Sequence, residues 1–80
     1  MHDQSSTLVR MANQIADFFR AKPPDEALAG AADHIKKFWD PRMKAKMAEH
    51  LAGGGEGLSP LAREAAALAC KPKATTGAGP

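Results

Sequence analysis

Large apolar side chains recur every three or four residues in two successive segments, which is the period of an amphipathic α-helix. The first stripe consists of Leu8, Met11, Ile15, Phe18 and Phe19. The second stripe consists of Leu28, Ala31, Ile35, Phe38 and Trp39. The hydroxyl side chains of Ser5–Thr7 are predicted to cap the first helix, and Pro23-Pro24 ends it and begins the second. The two stripes therefore predict a helical hairpin.

The two stripes also match each other at an offset of 20 residues, so that Leu8 corresponds to Leu28 and Phe18 to Phe38. An internal duplication explains this match, and so do two independent amphipathic helices with the same period. Two copies do not separate these explanations.

Two proline-containing signals divide the rest of the chain into further helices. Asp40-Pro41 and Ser59-Pro60 each place a capping side chain before a proline at the first helical position. The third helix is predicted over residues 41–52, and the glycine-rich segment 53–57 is interpreted as a turn or hinge. A short fourth helix follows Pro60.

The sequence contains no strand pattern, and it predicts an all-α fold. The expected architecture is a helical hairpin plus a third helix and a short fourth helix, in a single domain over residues 1–70. Residues 71–80 are small and polar and are predicted to form a disordered tail.

Composition indicates a small core. Hydrophobic residues make up 44% of the 80 positions, but 17 of them are alanines, which favour helix and permit close packing. The single cysteine, Cys70, excludes an intrachain disulfide and a cysteine-held metal cluster within this chain. The polar N-terminus and the lack of a long apolar run predict a soluble, cytoplasmic protein.

No constellation of side chains in the sequence indicates catalysis. His2, His34 and His50 lack the spacing of metal ligands and are interpreted as ordinary solvated or half-buried histidines. Segment 53–57 lacks the lysine and hydroxyl ending of a phosphate-binding loop. Length and pattern therefore favour a binding or structural role over an enzyme.

Five basic residues lie between positions 36 and 46, although the formal net charge is only +2. This cluster fits a solvated helix face, a protein-docking surface, or a small nucleic-acid-associated regulator. Trp39 is the only tryptophan, and it sits at a helix corner beside Arg42 and Met43. It either completes the small core, or anchors a partner, or does both.

The sequence resembles the delta subunit of NAD-dependent formate dehydrogenase over about residues 8–68. The resemblance rests on the segments Leu8–Ala16, Phe18-Phe19, His34–Met43 and Gly54–Leu61. The corner Phe38-Trp39-Asp40-Pro41-Arg42-Met43 is its most specific part. Met47 and Ala48 depart from the family's pattern, and the tail matches nothing in it.

The resemblance implies a non-catalytic subunit of a cytoplasmic complex that oxidises formate to carbon dioxide and reduces NAD. It implies no cofactor in this chain; the larger subunits carry bis-guanylate molybdopterin, iron–sulfur clusters and FMN. It also implies a role in assembly, cofactor insertion or stability of the catalytic (alpha) subunit, through which the chain would contact the other subunits.

Six residues are predicted to form the interface with that partner, and neither a nucleic acid nor a membrane is expected to bind. They are Phe38, Trp39, Arg42 and Met43 at the corner, with Phe19 and His34 nearby. No catalytic, cofactor-binding or metal-binding residue is predicted.

Overall fold

The computed structural model describes residues 4–70, with side chains from Ser6 onward, and this part of the chain contains four α-helices and no strand. The helices are α1 (Gln4–Phe19), α2 (Pro24–Phe38), α3 (Pro41–Ala52) and α4 (Pro60–Ala69). The prediction of an all-α fold with a short fourth helix is confirmed. The predicted tail, residues 71–80, lies outside the described residues. None of the helices within residues 4–70 is long and apolar enough to cross a membrane.

The starts of α3 and α4 follow from residues next to them in sequence. Asp40 Oδ1 accepts a hydrogen bond of 2.8 Å from the Met43 N–H, and Ser59 Oγ accepts one of 3.2 Å from the Ala62 N–H. Each cap therefore satisfies an N–H group that the helix itself leaves unpaired, as predicted. The cap predicted for α1 is wrong, because that helix already begins at Gln4 and Ser5–Thr7 lie within it.

Alanines fill most of the core. They account for eight of the fourteen buried apolar residues in the described part of the chain, and Ala31, Ala62 and Ala66 have no exposed surface. Among the described residues, Ile35 and Met47 are the largest side chains that are fully buried. Since alanine extends only one carbon beyond the backbone, the helices approach one another closely and the core is narrow.

The fourth helix is the central element of the fold. It packs on α1, α2 and α3, and its interface with α2 is more extensive than the interface between α1 and α2. Its buried face consists of Ala62, Ala65 and Ala66. The predicted hairpin is present, but α4 closes the core that the hairpin begins.

The glycine-rich segment forms a turn, as predicted, and a side chain from α1 fixes it. Gly54, Gly55 and Gly57 have positive φ, a conformation that favours glycine. Asn13 Nδ2 donates to the Gly57 carbonyl at 3.0 Å, and Asn13 Oδ1 accepts from the Ser59 N–H at 2.9 Å. One amide therefore holds the turn in the position from which α4 starts.

Two phenylalanines of the predicted stripes are not in the core. Phe18 is 75% exposed and Phe38 is 71% exposed, so these two members of the apolar stripes do not contribute to the core. On a helix with about 100° per residue, Phe18 lies about 160° from Ala16, which is buried. The core face of α1 is centred toward Ala12 and Ala16, and this leaves Phe18 outside it.

Candidate docking surface

Four aromatic rings from α1 and α2 form a continuous row on the surface of the hairpin. Consecutive ring centroids are 5.1 Å apart for Phe18 and Phe19, 6.4 Å for Phe19 and His34, and 4.6 Å for His34 and Phe38. The first two pairs are edge-to-face, an arrangement favoured by the ring quadrupoles. We call these four residues the aromatic row. Its inner rings are half-buried, and its outer rings are exposed.

Gly30 makes room for the row. A Cβ atom at this position would lie 2.6 Å from Cε1 of the Phe19 ring, which is closer than non-bonded carbon atoms approach. A glycine within a helix costs about 1 kcal/mol relative to alanine, and here it lets α2 approach the Phe19 ring. Gly30 therefore has a packing role despite its low helix propensity.

The aromatic row is one wall of an apolar groove of about 440 Å³. Apart from the row, the groove is lined by Met11, Gln14, Ile15, Trp39 and Met43. Among the described lining residues, only Gln14, His34 and Trp39, through its indole N–H, carry polar side-chain groups. We call this space the hairpin groove. Trp39 contributes its floor and is only 4% exposed, so it belongs to the chain's own core.

A second, more polar depression of about 350 Å³ adjoins the hairpin groove at α3. Met11 and Met43 line both spaces, and Asp40 and Arg42 line only the second. Its remaining lining residues are Thr7 and Leu8. The surface is therefore continuous, apolar at the aromatic row and charged at the start of α3.

The structure brings the six predicted interface residues to one face of the molecule. Phe19, His34, Phe38, Trp39 and Met43 line the hairpin groove, and Arg42 lines the adjoining depression. Phe18, which is not among the predicted interface residues, also lines the hairpin groove. The match of Phe18 with Phe38 at the offset of 20 residues is the signal that could have identified it.

The basic cluster is partly engaged within the chain. The Lys37 ammonium lies 3.2 Å from the Asp33 carboxylate, and that of Lys46 lies 4.0 Å from Glu49. The Lys44 ammonium donates to the Lys36 carbonyl at 2.8 Å, near the C-terminus of α2. The ion pairs within the described residues do not include Arg42, whose exposed side chain lies beside the groove.

The remaining candidate groups that the structure describes form no reactive cluster. His34 stacks in the aromatic row, and His50 Nε2 is 2.7 Å from the Glu56 carbonyl, next to the glycine-rich turn. Within residues 4–70, no three metal-ligating side chains converge. His2 lies outside the described residues.

Cys70 is buried at the end of α4. Burial raises the pKa of its thiol from 9.0 to about 11, and the nearby Lys44 ammonium offsets part of this rise. Because this pKa is higher in the folded state, the thiol contributes stability below pH 9 that is lost as the pH rises toward 11. The native thiol should resist iodoacetamide at pH 8, and it should react readily in urea.

The matched control for this prediction is Cys70→Ala. We expect its free energy of unfolding to fall less steeply between pH 9 and 11 than that of the unaltered protein, as measured by urea titration at each pH. Equal slopes for the two proteins would contradict the assignment.

One comparison with known proteins gives a match. The family model described as NADH-dependent formate dehydrogenase delta subunit FdsD matches residues 7–66, which is three quarters of the chain. The matched range includes every described residue that lines the hairpin groove or the second depression. No curated protein and no solved structure matches the chain significantly.

Proposed function

The chain belongs to the NADH-dependent formate dehydrogenase delta subunit family, and from this premise we propose that it is a non-catalytic subunit that docks on the catalytic subunit. Its role there is to support assembly, cofactor insertion or stability of that subunit. The resemblance noted in the sequence is confirmed by the family match. Membership in a delta subunit family implies partner subunits, and the proposal specifies the catalytic subunit as the one contacted.

The observation that carries the docking role is the exposure of two large aromatic rings beside an apolar groove. Phe18 and Phe38 each keep more than two thirds of their surface in water. Contiguous exposed apolar surface is typical of protein-binding sites, and aromatic side chains at the centre of such surfaces contribute much of the binding energy. A partner that covers the hairpin groove would remove both rings from water.

The proposal assigns the redox chemistry to the larger subunits. Bis-guanylate molybdopterin, iron–sulfur clusters and FMN each need dedicated ligands or a binding cleft, and iron–sulfur clusters need several thiolates. This chain offers one cysteine, and its thiol is buried with a raised pKa. The described residues therefore suit contact with a protein better than contact with a redox centre. An enzyme that exchanges electrons with NAD is expected in the cytoplasm.

The proposal is tested by producing the formate dehydrogenase subunits with and without this chain. The catalytic subunit is purified through a tag, and the co-purified subunits, the molybdenum or tungsten per catalytic subunit and the rate of formate oxidation are measured. We expect the chain to co-purify, and its omission to lower at least one of these quantities. Supplying the chain from a second plasmid should restore it.

The same preparations separate the three roles. A loss of co-purified subunits indicates a role in assembly. A loss of metal from a complex with all its subunits indicates a role in cofactor insertion. Faster thermal inactivation of a complex with full metal content indicates a role in stabilising the catalytic subunit. The proposal is wrong if the chain does not co-purify and its omission changes none of these measurements.

A further inference from the structure

We infer that the hairpin groove and its adjoining depression bind one amphipathic helix of a larger formate dehydrogenase subunit, whose apolar face contacts the aromatic row and whose acidic side chain pairs with Arg42. This inference rests on the proposed function, because it takes the partner to be a subunit of that enzyme. It adds the secondary structure and the charge of the segment that binds.

The lining of the hairpin groove favours a helix over an extended segment. Among the described residues that line it, only Gln14, His34 and Trp39 carry polar side-chain groups. An extended peptide in this groove would bury backbone N–H and C=O groups without partners, which is unfavourable. A helix pairs these groups within itself and presents only side chains. The described part of the chain also contains no strand to which a peptide could add as a further strand.

The same lining argues against a small molecule as the occupant. Sites for small molecules combine apolar walls with several convergent polar groups that fix the orientation of the ligand. The hairpin groove has exposed rings at its rim and flexible Met11 and Met43 at its junction with the second depression. Methionine adapts its shape to the side chains it meets, which suits a row of apolar anchors on a helix.

The charged residues near the second depression indicate the charge of the partner's helix. Residues 36–46 carry five basic side chains and one acidic side chain, Asp40. The Asp40 carboxylate accepts the hydrogen bond from the Met43 N–H, so it serves as the cap of α3. The exposed guanidinium of Arg42 lies in the first turn of the same helix, whose N-terminus also favours negative charge. A carboxylate of the partner is the complementary group at this end.

These two observations give the bound segment a pattern and a direction. Its apolar residues recur every three or four positions over the aromatic row, and an Asp or Glu follows within about two turns at the Arg42 end. Charge complementarity of this kind sets the orientation of a partner more than it adds affinity.

Site-specific cross-linking in the assembled enzyme tests the inference. Three variants carry a photoreactive benzoyl-phenylalanine in place of Phe18, Phe38 or Leu68. Leu68 is the matched control, because it is 46% exposed and does not line the groove. After irradiation of the purified complex, mass spectrometry identifies the cross-linked peptides. We expect positions 18 and 38 to label one segment with the predicted pattern, and position 68 to leave it unlabelled.

A charge exchange tests the polar end. Arg42→Glu should weaken binding of the chain to enzyme purified without it by about 30-fold, because it places two negative charges opposite each other. Replacing the acidic residue of the labelled segment by arginine should restore most of this loss. Lys22→Glu changes the net charge equally away from both depressions and should weaken binding less than threefold.

Several outcomes would overturn the inference. The first is a cross-link from position 18 or 38 to a second copy of this chain, to lipid or to nucleic acid. The second is a cross-link to a segment that lacks the helical apolar pattern or the acidic residue. The third is an intact complex in which positions 18 and 38 label no larger subunit. In each case, co-purification of the Leu68 variant with the formate dehydrogenase subunits would leave the proposed function standing. Failure of every variant and of the unaltered chain to co-purify would instead contradict the proposed function.

Discussion

A Trp39→Ala variant is expected to be largely unfolded as an isolated chain. Trp39 is 4% exposed and belongs to the core cluster, where few other large side chains are present. Replacing a buried tryptophan by alanine costs about 3–5 kcal/mol. That is comparable to the whole stability expected of a domain of this size, since small domains bury a smaller fraction of their surface. Circular dichroism at 222 nm during thermal and urea unfolding measures the loss.

The adjacent residue provides the control for this variant. Phe38 is 71% exposed, so Phe38→Ala should change the free energy of unfolding by less than about 0.5 kcal/mol. It should nevertheless weaken binding to a partner subunit that covers the hairpin groove, because its ring lines that groove. Two neighbouring aromatic residues would then have separate effects, Trp39 on folding and Phe38 on docking. Equal stability of the Trp39→Ala variant and the unaltered protein would show that the indole is not part of the core.

Ala66→Leu should have the second largest effect, a loss of about 3 kcal/mol of stability, at the upper end of the usual range for overpacking. Ala66 has no exposed surface and lies on the face of α4 that closes the core. A leucine adds three carbon atoms at a position where closely packed helices leave no room for them. The helices would have to separate or the leucine would have to adopt a strained rotamer. Urea titration followed by circular dichroism gives the change in free energy of unfolding.

Ala67→Leu is the matched control for overpacking. It makes the same chemical change one residue along the same helix, but Ala67 is exposed. Alanine and leucine have similar helix propensities, so the stability should change by less than about 0.5 kcal/mol. A similar loss for both variants would indicate that leucine acts through the helix itself and not through the core.

The sequence was sufficient to predict features that depend on neighbouring residues. Asp40 and Ser59 cap the helices that follow them because the interaction joins a side chain to an N–H three residues away. The bounds of α3, from Pro41 to Ala52, follow from the proline at its start and the glycines after its end. These signals are local, so no tertiary structure is needed to interpret them.

Features that join distant residues could not be predicted in this way. Asn13 binds the turn 44 residues later in the chain, and nothing about an asparagine on a helix indicates that partner. The central position of α4 was also missed, because a face of alanines has little hydrophobic contrast with the rest of a helix. The exposure of Phe18 was missed for the related reason that Ala12 and Ala16 mark the buried face of α1 only weakly.

The sequence predicted six residues for the interface, but it did not predict how they are arranged. The six predicted interface residues lie on one face because the corner between α2 and α3 meets the side of the hairpin. Which rings face water depends on the rotation of each helix about its axis, which is determined by contacts with α4. For this reason the sequence predicted both Phe38 and Trp39 for the interface and left open whether Trp39 also belongs to the core, whereas the structure buries Trp39 and exposes Phe38.

The contacts of α4 also constrain the order of events during synthesis of the chain. A ribosome produces α1, α2 and α3 first, and until α4 has emerged, α2 lacks the helix with which it forms the most extensive interface in the described part of the chain. The nascent chain therefore cannot form its complete core while α4 is missing. Because α4 ends at residue 69, stable folding follows the translation of that residue. A partner that recognises the folded hairpin groove would accordingly bind the finished chain and not the growing one.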